Sequence, residues 1–215
     1  LLLSDADCRP LSDGWVRSMT MPFEDKSTKL VLGYSPYHPL KSFLHQFIGY
    51  ETLMTGLNYM TYAFLGRPYM GVGRNIAYRK SIFMEKIGFG KFQDVVGGDD
   101  DLLVQQHADR KNTRIRIGKD ALVYSLPKND FRSYWIQKKR HLSVGQLYRA
   151  TDKLLLGIQF LFRILFWGGF LAVTLSGVLT QSILLAFILG LFLHLAAILM
   201  FKWRTGDKAS IWLMP

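Results

Sequence analysis

The chain has 215 residues, 49% of them hydrophobic, a formal net charge of +11 and a sequence pI near 9.8. A single cysteine, Cys8, excludes an internal disulfide framework and any multi-cysteine metal site, so Cys8 reads as a small packing residue. The basic balance points to an anionic partner, such as nucleic acid, a nucleotide diphosphate or an acidic membrane surface, and the placement of the charges has to choose among them.

Leu1-Leu2-Leu3 has no basic leader and runs into Ser4-Asp5-Ala6-Asp7, so it reads as the end of a buried strand rather than a signal peptide. A chain that opens inside an apolar strand is expected to lack its true N-terminus. Two carboxylates at a strand's C-terminal end lie where α/β sheets bind ligands. An Asp-x-Asp pair suits a hard divalent cation, provided the backbone bends to bring both side chains to one side. Residues 9–20 read as a turn and a short helix, and Lys29–Tyr34 as a second strand. Between Pro39 and Leu65, apolar residues at Phe43, Phe47, Ile48, Met54, Leu57, Met60 and Phe64 follow the period of an amphipathic helix. A glycine-rich approach, Met70-Gly71-Val72-Gly73, leads to Arg74-Asn75-Ile76-Ala77-Tyr78-Arg79, and Ser81–Gly90 reads as a helix.

The acidic run Gly97-Gly98-Asp99-Asp100-Asp101-Leu102-Leu103 follows. Adjacent carboxylates repel by about 1 kcal/mol per pair at ~4 Å even in water. The run reads either as a solvated cap on the helix that Leu102 would begin or as a functional carboxylate cluster. Thr113–Ile117 and Ala121–Tyr124 have strand character, with a turn over Pro127–Asp130. Arg132–Lys153 is basic and aromatic, and its Gln137 and Arg140, three apart, share a helix face on which a guanidinium can grip a diphosphate. The same segment also reads as a juxtamembrane anchor for anionic lipid.

Leu154–Leu179, with Arg163 its only charge, and Ser182–Phe201, with none, are each long enough for the roughly 20 residues that cross a bilayer. They read as a transmembrane hairpin turning at Thr180-Gln181. Arg163 reads as snorkelling to the headgroups and His194 as a packed helix residue. Both flanks are basic and the connection is not, which puts the flanks in the cytoplasm.

In this order, an Asp-x-Asp after a strand, the Asn75–Arg79 segment, an acidic run, Gln-x-x-Arg and membrane spans, the chain resembles the family 2 glycosyltransferases. These are GT-A fold enzymes that include cellulose, chitin and hyaluronan synthases and related glycolipid transferases. The resemblance implies an α/β fold: the C-terminal part of a Rossmann-like GT-A catalytic domain over residues 1–131, without the N-terminal strands that hold the nucleotide. A basic interfacial segment (132–153), two transmembrane helices (154–179 and 182–201) and a cytoplasmic or interfacial tail (202–215) follow.

It also implies metal binding (Mg²⁺ or Mn²⁺) by Asp5 and Asp7, and a catalytic pair at Asp99 and Asp100, the second as general base. Donor diphosphate binding falls to Gln137 and Arg140, and an acceptor side to Asn75, Arg79 and His141. His141 stands where the family usually has Trp, and the third aspartate leaves the register of the base open within Asp99–Asp101. The implied partners are a nucleotide-diphosphate sugar, a glycan or lipid acceptor and anionic membrane lipids, and not nucleic acid. The implied setting is a multi-pass protein of the bacterial inner membrane, inactive as this piece alone. Donor sugar, acceptor and processivity are not legible in these residues. The competing reading is a non-catalytic membrane-anchored module that binds anions through its basic segment.

Overall fold

The computed structural model of the chain describes residues 1–85, 95 and 97–211. They form two units, Leu1–Tyr148 with Lys202–Pro215, and Arg149–Phe201.

In the first unit the elements are, in chain order, β1 (Leu2–Leu3), β2 (Arg9–Pro10), α1 (Trp15–Thr20), β3 (Leu30–Gly33), α2 (Phe43–Phe64), β4 (Ile76–Tyr78), α3 (Lys80–Glu85), α4 (Asp99–His107), β5 (Thr113–Arg116), β6 (Val123–Tyr124) and α5 (Phe131–Val144). Four strands make one sheet in the order β1-β4-β3-β5, in which β4 is antiparallel to both neighbours and β3 is parallel to β5. β2 and β6 pair in a small second sheet.

Strands covered on both faces are apolar at every position rather than at alternate ones. β3 is such a strand. Leu30 and Leu32 pack with Ile76, Tyr78, Leu103, Val104 and Ala108 on one face, while Val31 packs with Met19, Ala77 and Ala121 on the other. The mixed sheet with helices matches a partial GT-A domain. The expected helix from Pro39 begins at Phe43, because Ser42 caps it by accepting the His45 amide at 3.2 Å. The helix expected over Ser81–Gly90 is described only as α3, and the rest of that stretch lies outside the described residues. Arg9–Pro10 pairs as a strand because β6 supplies its partner from over a hundred residues away, which local pattern cannot reveal.

Two buried polar groups lock the sheet's end. Asn75 is fully buried: its amide donates to the carbonyls of Tyr34 (2.8 Å) and Ala121 (2.7 Å), and its Oδ1 accepts from Trp15 Nε1 (3.0 Å). Gly33 lies against that amide with no room for a Cβ. Tyr34, packed on Gly56 of α2, donates to Asp207, whose other oxygen accepts the Ala209 amide at 2.7 Å. The segment after Lys202 is therefore built into the first unit.

The second unit contains α6 (Ala150–Leu175) and α7 (Gln181–Thr205), whose last residues, from Lys202, belong to the first unit. Phe187 stacks on Phe170 (3.6 Å between centroids) and on Phe166 (4.8 Å), and the Phe166 ring fills the space beside Gly190. These are two helices long and apolar enough to cross a membrane, and most of their apolar side chains are exposed.

Asn75→Ala would strand two carbonyls and an indole N–H in the interior, each at about 1 to 3 kcal/mol. Thermal unfolding of the full-length protein should show a loss of about 3 kcal/mol or more. An unchanged midpoint would mean that Asn75 is not the lock described.

Candidate functional site

β1, β3 and β5 run in one direction and β4 against them, so the C-terminal ends of three strands and the start of β4 share one sheet edge. Ligand sites of open α/β sheets lie at such an edge. Pairing of Leu3 with Ile76 carries Ser4 and Asp5 out of the sheet across from the 3₁₀ turn Gly73–Asn75. The Cys8 amide donates to the Asp5 carbonyl at 3.0 Å, and this turn supplies the bend that an Asp-x-Asp pair requires. Ligand atoms of Asp5, Asp7 and Cys8 all lie within 4.8 Å of one another, with both carboxylates exposed. Cys8 Sγ donates to Asp7 Oδ1 at 3.6 Å, and burial raises the thiol's pKa.

The acidic run arrives at the same edge. α4 begins at Asp99, three residues before the expected start, so all three aspartates occupy its first turn, where the helix dipole favours negative charge. The Gly73 amide donates to Asp100 Oδ2 at 2.6 Å, and the Asp101 amide to Asp100 Oδ1 at 2.9 Å. The three carboxyls have separate environments. Asp99 is exposed. Asp100 is raised in pKa by burial, against the pull of its two amide bonds. Asp101 is buried and accepts the Tyr148 hydroxyl at 2.6 Å; burial first, then the neighbouring Asp100 charge, pushes it up to about 8.

The Gln-x-x-Arg helix is packed directly on the glycines before the run. Gly97 and Gly98 have φ of 87° and 74°, a region that favours glycine. A Cβ at Gly97 would lie 3.2 Å from Arg140 Cδ, and one at Gly98 would collide with Val144. α5 is capped by Asp130, which accepts the Ser133 amide at 2.8 Å, and fastened to α2 through Glu51, which accepts from Tyr134 (3.1 Å) and pairs with Lys138. Gln137 is half-buried on the same helix. His141 follows Arg140, and its pKa is lowered to about 4 by loss of solvation and then by Arg140, Lys138 and Arg74, so its ring is neutral.

The fold thus brings Asp100 to the turn facing Asp5, and Arg140 to the loop that opens α4. Asn75 and Arg79 are placed differently. Asn75 is the buried lock described above. Arg79 lies at the opposite sheet edge, donating to the carbonyls of Thr28 (2.8 Å) and Phe23 (2.6 Å). Two residues that hold the acidic run, Gly73 and Tyr148, are not among the site residues expected from the sequence. Gly73 carried a signal, the glycine-rich approach; Tyr148 carried none, since its partner is 47 positions away.

The sequence model of Glycosyl transferase family group 2 matches residues 5–203. No curated protein matches the chain.

The Asp101 carboxyl titrates near 3.8 when unfolded and at about 8 when folded, so folding takes up a proton between those values. Its contribution to stability is therefore full below pH ~4 and is lost as pH rises towards ~8. Asp101→Asn should flatten this fall when unfolding temperatures are compared from pH 4 to 8. Parallel profiles for the variant and the parent would show that Asp101 is charged in the folded protein.

Proposed function

Because the chain belongs to Glycosyl transferase family group 2, we propose that it moves a sugar from a nucleotide-diphosphate sugar to a hydroxyl of a glycan or lipid-linked acceptor at a membrane, inverting the anomeric centre. The observation that carries this reading is the hydrogen bond from the Gly73 amide to Asp100, because it draws the acidic run to the sheet edge where Asp5 and Asp7 leave β1.

In this mechanism Asp100 accepts the proton of the acceptor hydroxyl as that oxygen attacks the anomeric carbon. The bond from that carbon to the diphosphate breaks, and its electron pair leaves with the nucleotide. Burial makes Asp100 a stronger base than an ordinary aspartate, while its two amide bonds hold the carboxylate plane in place. Asp99, exposed one residue earlier, is the other candidate for this role. Arg140 and Gln137, on one face of α5, hold the departing diphosphate, and His141, neutral, lines the acceptor side.

Asp5 and Asp7 would hold Mg²⁺ or Mn²⁺. Two exposed carboxylates in one turn are the hard oxygen donors such ions take, and the thiol beside them is a soft atom that they do not need. Bound there, such an ion would supply positive charge towards the leaving diphosphate. The two apolar helices with basic flanks support a membrane setting with the catalytic part on the cytoplasmic side.

Full-length protein in membranes, given Mn²⁺ or Mg²⁺ and nucleotide-diphosphate sugars, should transfer sugar. Asp100→Asn should lower transfer by about 100-fold or more while leaving nucleotide binding intact, the scale of a lost general base. If the loss instead follows Asp99→Asn, the base lies one residue earlier; if both variants transfer normally, the acidic run is not catalytic. Asp5→Asn and Asp7→Asn should abolish the response to added metal, and a metal response that survives both would remove them as ligands.

A further inference from the structure

Arg74 is a cation at this edge that the roles above leave unused. It sits in the Gly73–Asn75 turn, next to the amide that holds Asp100, across from the point where Ser4 and Asp5 leave β1. Its position is fixed on three sides. The guanidinium carbon lies 4.4 Å from the centroid of the Tyr37 ring, Nη2 donates to the Ser35 carbonyl at 3.1 Å, and the next residue is the buried Asn75 lock.

A guanidinium has five N–H donors. Among the described residues, the Ser35 carbonyl is the acceptor Arg74 has, Nη1 is buried with no partner, and no carboxylate pairs with it. Buried donors, above all on a cation, are normally satisfied. A clamp on Ser35 and Tyr37 would use one edge of the fork and leave the charge uncompensated. A flat cation held by stacking, with its second edge unpaired, is instead the geometry that recognises an oxyanion through two parallel N–H bonds.

We propose that Arg74 binds an oxyanion of the donor substrate, a phosphate or carboxylate oxygen, beside Asp100. This rests on the glycosyl-transfer reading and deepens it. Two parts of a donor carry such oxygens: the diphosphate, and the transferred sugar when it is a uronic acid. Tyr37, half-buried and stacked on the guanidinium, is the side chain that yields as the oxyanion enters.

The test is equilibrium binding to the full-length protein in detergent with Mg²⁺, using UDP, GDP, ADP and dTDP, then UDP-glucose against UDP-glucuronate. Arg74→Gln should weaken binding by about ten- to a hundredfold, the scale of a charged hydrogen bond. Arg74→Lys, which keeps the charge, should recover part of it. Weakening of the plain diphosphates assigns the contact to the diphosphate; loss of a preference for the glucuronate donor, with diphosphate binding unchanged, assigns it to an acidic sugar. Either outcome sustains the proposal. A folded Arg74→Gln protein that binds every probe as the parent does overturns it and leaves Arg74 a clamp. A parent protein that binds none of the probes refutes the glycosyl-transfer reading itself.

Discussion

The bond from the Gly73 amide to Asp100 is the constraint around which the rest of the first unit is arranged. It joins a turn at the start of β4 to the first turn of α4, and the β1–β4 register then sets Asp5 opposite. The bond works only because the turn itself cannot shift: Asn75, next but one, is tied to Tyr34, Ala121 and Trp15 at once. A buried amide satisfied on every side converts a loop into a fixed surface. Asp100 is therefore held by backbone, which has fewer ways to relax than a side chain.

Three adjacent carboxylates could not share one environment without strong repulsion. The fold separates them by solvation. Asp99 faces water, Asp100 receives two amides, and Asp101 is buried against Tyr148 with its pKa raised until the proton stays on at neutral pH. One charge is thereby removed from the cluster, which leaves Asp100 less strained than the sequence suggests. The left-handed Gly97 and Gly98 let α5 come close enough for Arg140 and Val144 to rest on the backbone that opens α4. Acidic and basic motifs forty positions apart thus become neighbours through two residues without side chains.

Much of this was legible in the chain. Leu30–Gly33 announces itself as a strand because both its faces are covered and its side chains are apolar, whereas Ile76–Tyr78, read only as part of a glycine-rich segment, becomes a strand through its pairing with β1 and β3. The two long helices follow from composition alone. The motifs at Asp5, Asp7, Asp99, Asp100, Gln137 and Arg140 were visible as residue types at a spacing. What was hidden is whatever depends on a distant partner. Asn75 and Arg79 look like substrate ligands in a glycine-rich segment, yet strand pairing turns one into the interior and takes the other to the far edge. Tyr148 looks like one aromatic among several until α4 is folded beside it.

The same distant pairing explains how a long apolar insertion is tolerated. Arg149–Phe201 leaves the first unit after Tyr148 and returns at Lys202. At its departure Tyr148 donates to the buried Asp101, and just after its return Asp207 accepts from the buried Tyr34. Each pair buries a carboxyl whose pKa rises with loss of water, and each is anchored on an element that forms the site edge, α4 in one case and the end of β3 in the other. Two short buried contacts at its stem are then enough to fix where the chain departs and returns. The residues that bracket the apolar hairpin are thus fastened to the strand end and helix start that carry the candidate chemistry.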